Sequence, residues 1–472
     1  MATSASHPGM NSPARSDALV AIGLFVAMLL LNHVVGVYGL RGAPLMGDAL
    51  DYFDRAVQLL QGADNGKAHY WPPGGPYVLE VLFRLTGRAD AMWAQVLMSG
   101  MSALTTAVAF LLASRVSGQR KVAWMAALFY GLSPTTLWMA RQSESHTFCA
   151  MWVALAALFA VRYVQRHGYL NLLLAALSLG MLVLTRPGSA LLALALAALP
   201  MLLAALRQRT DVHLSWPHAL LQSLMVGVAM LAMLWPTLQF NHARGAGWVL
   251  STNNERNFFL GNNPYTHPYK TGHMAQRELA SLPPDVQAYL KRHYQAADPR
   301  AAMLQSSKDY ILQEPVQFIR RCVNRFANFW TFDYEQGRRL QMFLEPHGRV
   351  AVAPMALQAV CSVALVALMW LGLPVLLKAG QGAWALSALF VCLLYQAPHV
   401  VAFSSPVYRS GLGPLICLLA AWGLVLARSG LLREEVGAVS AMGWRRKVYT
   451  VVVLIGLLAI NAQAAYYLVK LR

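Results

Sequence analysis

Long, uninterrupted apolar runs alternate with short polar connections along most of this chain. Each run is about 18 to 22 residues, the length at which a helix crosses roughly 30 Å of hydrocarbon. A membrane-spanning strand would show only alternating hydrophobicity. The runs predict eleven spans, at about 18–38, 92–114, 121–138, 147–163, 169–185, 188–206, 218–236, 354–376, 383–403, 407–427 and 448–468. Residues 1–17 are polar and small and read as a disordered cytoplasmic tail. The first run holds Asn32 and His33 and lacks a small-residue cleavage site after its core, so it reads as a retained helix and not a signal peptide. The expectation is an all-α polytopic membrane protein with a helical extracytoplasmic region.

Composition agrees. Of 472 residues, 57% are hydrophobic and only 12% are charged, about half the charged share of a soluble domain. The net charge of +18 is placed by the spans. With the N-terminus inside, the inner connections hold Arg15, Arg115, Arg120, Lys121, Arg162, Arg166, Arg207, Arg209, Lys378, Arg428, Arg433, Arg445, Arg446 and Lys447 against four acids, Asp17, Asp211, Glu434 and Glu435. This is the positive-inside bias, and it points to a lipid bilayer partner; no basic run carries the interleaved aromatics of a nucleic-acid module. Lys470 and Arg472 sit slightly against the rule outside. The five cysteines form no CxxC pair and four lie in apolar runs, which argues against disulfides and thiolate metal sites.

Two long stretches then fall outside: 39–91, between the first two spans of an N-terminal module (18–236), and 237–353, ahead of the C-terminal helices (354–472). In the second, "SLPPDVQAYLKRHYQ" places prolines at a helix start. "EPVQFIRRCVNRFANFW" sets Val316, Ile319, Val323, Phe326 and Trp330 on one stripe. That stripe suits either the membrane interface or packing on the outer region itself.

Candidate chemistry gathers on the same outer side. Asp48, Asp51 and Asp54 follow the first span, with Tyr52 among them. Acids beside the lipid boundary carry a desolvation cost and are often functional. A helix cap or solvated faces would also explain Asp51 and Asp54, whereas Gly47 and the membrane exit mark Asp48 as a loop-borne carboxylate. Lys67 and "WPPGGP" (71–76) follow; the stiff turn around Trp71 either walls a cleft or anchors at the interface, and 77–87 is long enough only for a half-inserted helix. Glu144 is the sole acid between residues 91 and 210, flanked by Arg141 and His146; it is a site candidate or the partner of Arg141. Arg186, His399 and Arg409 lie at span ends, where arginine either snorkels or binds a lipid phosphate. Asn262 and Asn263 belong to a run that reads as tight turns but also suits sugar hydroxyls. No nucleotide-binding motif is present. We expect no cofactor: a divalent metal is left open by His69, His267, His273 and Glu144, but nothing in their spacing argues for one.

At these residues the chain resembles the GT-C superfamily of integral-membrane glycosyltransferases, in the branch of protein O-mannosyltransferases and lipid A aminoarabinose transferases. The matching stretches are "GDALDYFDRAVQLLQG", "WPPGGP", "ARQSES", "LTRP", "FFLGNNP" and "YQAPHVVAFSSPVYRSGLGP". The resemblance implies a polyprenyl-phosphate sugar donor, inverting transfer on the outer face, Asp48 as base, and Glu144 as a supporting acid where many members carry Asp. Many relatives have Lys before the Pro-Pro, where this chain has Trp71; Lys67, Arg186 or Arg409 would then meet the donor phosphate. The implied acceptor is a hydroxyl of lipid A, a glycan or a protein, and the implied place is a bacterial inner membrane with the site facing the periplasm. A flippase or transporter of lipid-linked sugars would call for ionisable residues at the midplane and an internal repeat. An O-antigen ligase or polymerase would carry its large outer loop late in the chain.

Overall fold

The computed structural model describes residues 14–36, 44–62, 66–206, 214–269, 279–344, 352–428 and 440–470. Expectations for residues 1–13 and for His273 fall outside them. The described residues are all-helical, without strands. Among the described residues, nine helices are long and apolar enough to cross a membrane: α1 (Ala14–Val34), α4 (Ala91–Ser117), α7 (Ser145–Arg166), α9 (Ala190–Ala205, extended by the turn Pro187–Ser189), α10 (Trp216–Ala243), α16 (Val352–Lys378), α17 (Gly382–Val401), α18 (Gly413–Arg428, preceded by the turn Pro406–Leu412) and α19 (Ser440–Lys470). The protein is therefore a polytopic membrane protein.

Two expected spans are not among these nine. The run 121–138 breaks into α5 (Arg120–Gly131) and α6 (Pro134–Met139). Pro134 drives Ser133 out of the helical region, to φ −60° and ψ 130°. The helix α8 (Tyr169–Thr185) holds 17 residues, roughly 25 Å of rise. The expected tail is corrected too. Ala14–Asp17 is already helix, and Asp17 accepts hydrogen bonds from Ser114 Oγ at 2.6 Å and Arg120 at 3.3 Å.

Between α1 and α4 lie α2 (Asp48–Leu60) and α3 (Gly74–Thr86). They pack through Ala56, Leu79 and Phe83 on Met98 of α4 and Phe148 of α7. α3 is the short helix foreseen after the Pro-Pro turn, and it closes at Gly87 with φ 66°. The main core joins α4, α5, α7, α8, α16 and α18. At its tightest crossing, Gly372 and Gly423 let α16 and α18 touch backbone to backbone; a Cβ on Gly423 would stand 2.4 Å from Gly372 Cα. Small residues are how membrane helices approach closely.

Among the described residues of 237–353, the expected helices of the second half are α12 (Pro284–Tyr294), α13 (Pro299–Gln313), α14 (Pro315–Phe329) and α15 (Tyr334–Leu344), and the asparagine run, read as tight turns, also holds a helix, α11 (Asn253–Gly261). Phe259, Leu260, Val286, Leu290 and Met303 give α11 to α13 a small core of their own. In α14 the apolar stripe is open: Val316, Ile319, Val323 and Phe326 are exposed, while Trp330, just past the helix, is buried. Arg321 and Arg325 face inward instead. They donate to backbone carbonyls, Arg321 to Asn263 (2.9 Å) and Thr266 (2.6 Å), Arg325 to Val401 (2.7 Å) and Gly261. This polarity leaves the apolar face free, as an interfacial helix requires.

Candidate functional site

An open cleft of about 570 Å³ lies where α2, α7, α8, α11 and α17 converge. Its walls include Asp48, Tyr52, Trp71, His146, Arg186, Asn253, Glu255, His399 and Tyr408. Residues separated by up to 360 positions in the chain thus share one space.

Local sequence explains how each wall is made. Gly47 takes φ 56°, which turns the chain so that Asp48 opens α2. Gly74 sits against the end of α8; a Cβ there would meet Thr185 Oγ1 at 2.6 Å and its backbone nitrogen at 2.7 Å. That contact explains the glycines of "WPPGGP" and lets Trp71 lie over α2. Trp71 donates its indole N–H to Asp51 Oδ2 at 3.2 Å and meets Tyr52 edge-on at 6.1 Å. The "ARQSES" turn is strapped to the segment that leads into α2. Gln142 donates to Pro44 O and accepts from Met46 N, both at 3.1 Å, and Ser143 Oγ donates to Ala49 O at 2.7 Å.

Glu144 stands at the N-terminal boundary of α7 without a side-chain capping bond, and its side chain is only 4% exposed. It does not pair with Arg141. It pairs with Arg339 of α15, and His146 Nε2 stands 3.7 Å away. Arg339 also acts electrostatically on Asp48. One guanidinium therefore acts on both acids. Asp48 opens to the cleft, but burial raises its carboxyl pKa, against the pull of Arg339 and Arg186; Asp51 pushes it further up. Burial pushes the Arg339 pKa down.

Arg186 closes the site from the end of α8. It donates to Ser145 Oγ (3.1 Å), His146 Nδ1 (3.4 Å) and His399 Nε2 (3.3 Å), and its guanidinium lies 4.5 Å from the Tyr408 ring centre. His399 stacks on that tyrosine at 4.5 Å. A fixed cation on an open cleft wall suits an anionic group.

Several sequence candidates do not line this cleft. Arg409 is buried and used structurally; it donates to Phe329 O (2.8 Å), Thr331 O (2.7 Å) and Ser362 Oγ (2.6 Å). Arg141 turns to Gln95 of α4. Asn262 and Asn263 make the turn after α11: Asn262 donates to Phe258 O and Val401 O, and Asn263 to Phe259 O. Their fully buried amides leave nothing for a substrate. Lys67 is exposed and does not line the cleft. Residues that sequence reasoning passed over include Arg339, Tyr408, Ser251, Asn253 and Glu255. The three from 251 to 255 stood in view in the asparagine run; Arg339 carried no local signal. Among the described residues no three His, Cys, Asp or Glu side chains gather as a metal site. The His69 ring meets Tyr77 Oη through Nε2 (3.1 Å) and accepts from Arg55 at Nδ1 (3.4 Å) instead.

Residues 71–235 match the family model of dolichyl-phosphate-mannose-protein mannosyltransferases. The matched segment carries Trp71, Glu144 and Arg186, and the match bears out the GT-C resemblance. None of the curated proteins matches the chain. Among solved structures, the chain is similar to the oligosaccharyltransferase AglB of Archaeoglobus fulgidus in complex with an inhibitory peptide and a dolichol-phosphate. That likeness has 12% identity and a TM-score of 0.46, over 93% of this chain and 54% of that one. The apo form of the Archaeoglobus fulgidus oligosaccharyltransferase gives 12% and 0.47, over 94% and 54%. The chain spans about half the length of these structures.

Proposed function

We propose that the protein transfers a sugar from a polyprenyl-phosphate carrier to an acceptor hydroxyl, with inversion, on the extracytoplasmic face of a bacterial inner membrane. The observation that carries this reading is the placing of a carboxylate with raised pKa, Asp48, in one cleft with the fixed cation Arg186. The acceptor oxygen attacks the anomeric carbon while its proton passes to the Asp48 carboxylate. The bond from that carbon to the phosphate oxygen breaks, and the lipid phosphate leaves with added negative charge. Arg186, backed by Tyr408 and His399, meets that charge. Arg339 and Glu144 position Asp48 and keep it ionisable; neither needs to touch substrate.

The carrier's tail has a place to lie. An apolar cavity of about 300 Å³ runs between α4, α7, α9, α17 and α18, lined by Val153, Ala160, Leu196, Val391 and Trp422 among others. It begins two turns of α7 below Ser145. The family match over 71–235 supports the same reading.

The test is turnover. Purified protein is incubated with a panel of polyprenyl-phosphate sugars and acceptors, and release of the free lipid phosphate is scored. We expect release with one or a few members. Asp48→Asn should lower kcat by about 10²- to 10⁴-fold, the range of a positioned general base, and leave donor binding intact. Undiminished turnover in that variant refutes the base assignment.

A further inference from the structure

The outer wall of the cleft carries a second polar cluster that the transfer chemistry does not use. Ser251, Asn253 and Glu255 all line the cleft. Ser251 is fully buried and Asn253 is 4% exposed, yet Ser251 Oγ, Asn253 Oδ1 and Glu255 Oε2 have no hydrogen-bond partner. Three such atoms within five residues are unusual, because buried polar atoms are nearly always paired. An orphaned acceptor costs about 1–3 kcal/mol, and three along one wall point to an occupant that satisfies them.

The wall is also built to stay in place. Thr252 N donates to His69 O at 2.9 Å, and Asn241 holds Val249 O at 2.7 Å and His69 N at 2.8 Å. Arg300 binds Glu255 Oε1 and the carbonyl of Ala246, which fixes the carboxylate and leaves its other oxygen free.

The chemistry of the three atoms selects the ligand. An amide oxygen and a carboxylate oxygen only accept, and a serine hydroxyl accepts or donates. The occupant must bring donors. A phosphate has none at neutral pH and would be repelled by Glu255, so it belongs on the Arg186 wall. We propose that Ser251, Asn253 and Glu255 form the subsite for the transferred sugar, taking hydrogen bonds from vicinal hydroxyl groups of its ring and so setting which sugar is accepted. The cleft is thereby polarised, with the phosphate toward Arg186 and the ring toward residues 251–255. This rests on the donor reading above and adds the recognition that the reading lacks.

The experiment separates the two. Binding of decaprenyl phosphate, and of the panel's decaprenyl-phosphate sugars, is followed by the fluorescence of the protein in detergent, with Trp71 in the cleft as reporter. For the best-binding sugar donor we expect tighter binding than for bare decaprenyl phosphate. Asn253→Ala and Glu255→Gln should each erase about tenfold of that gain while leaving affinity for the bare lipid phosphate unchanged. Ser251→Ala, the smallest change, should act in the same direction and guards against a fold defect at Glu255. Arg186→Gln should weaken both ligands alike. If the sugar gain survives in all three wall variants, or if they weaken bare decaprenyl phosphate equally, the subsite is refuted while the donor reading stands. If the wild type binds neither ligand, both fall together.

Discussion

The ion pair between Glu144 and Arg339 gives the sharpest test of how the site is held. Glu144→Gln keeps the volume of the side chain and removes its charge. Removing one partner of a buried pair costs about 3–5 kcal/mol, because the other charge is left stranded. The two sides are unequal here: the Glu144 side chain is 4% exposed and that of Arg339 is 27%. Arg339 also keeps Asp48 as a second counter-charge. Glu144→Gln should therefore cost only about 2 kcal/mol, after allowing for solvent screening of the arginine. Arg339→Gln strands a deeply buried carboxylate and should cost nearer 4 kcal/mol. The double variant should recover part of the loss, with a coupling of about 2 kcal/mol. Chemical denaturation in mild detergent measures all four corners of the cycle. The activity of the same variants carries a second, directional signal. Arg339 holds the Asp48 pKa down, so Arg339→Gln should move the acid limb of kcat/KM to higher pH. Glu144→Gln removes a nearby negative charge and should move it to lower pH. Additive single effects of under 0.5 kcal/mol, or two acid limbs moving the same way, would refute the arrangement.

Further expectations follow from particular contacts. Arg325 donates to the carbonyls of Gly261, Val400 and Val401 and to Asn262 Oδ1. Arg325→Ala leaves these buried acceptors bare, so it should cost about 3 kcal/mol or more in the same denaturation assay and weaken the cleft wall that carries His399. Gly423→Val drives a side chain into Gly372 and should lower stability by about 1–3 kcal/mol, read as a fall in the thermal midpoint. The pKa of His69 is pushed down to about 3, first by burial and then by Arg55 and Arg244. An unfolded histidine binds its proton below about pH 6.5, so His69 contributes stability that is present above that pH and lost as pH falls toward 3. His69→Gln should flatten this part of the stability–pH curve; an unchanged slope between pH 6.5 and 4 would contradict the burial argument.

Much of this protein is legible along the chain, for a definite reason. A helix in lipid must be apolar all along its length and satisfy its own backbone, so span number and spacing are written locally. The failures are local as well: 121–138 is apolar enough to span, and Pro134 breaks it. Asp48, Trp71, Arg186 and His399 could be singled out because polar groups at the ends of apolar runs are few, and the fold brings all four to one cleft.

What only the tertiary structure decides is which partner each long polar side chain meets. Arg186 and Arg409 look alike in sequence, each beside a proline turn at a span end. Packing leaves the first open to the cleft and surrounds the second with the carbonyls of Phe329 and Thr331. Asn253 and Asn263 belong to one asparagine run, yet one lines the cleft and the other closes a turn. Glu144 passes over its neighbour Arg141 for Arg339, almost two hundred residues away. A hydrogen bond or ion pair is decided within about 3 Å, and no periodicity in the chain specifies which distant atoms arrive at that distance. Apolar length sets the helices because it is a property of each segment alone; charge pairing belongs to the assembled bundle.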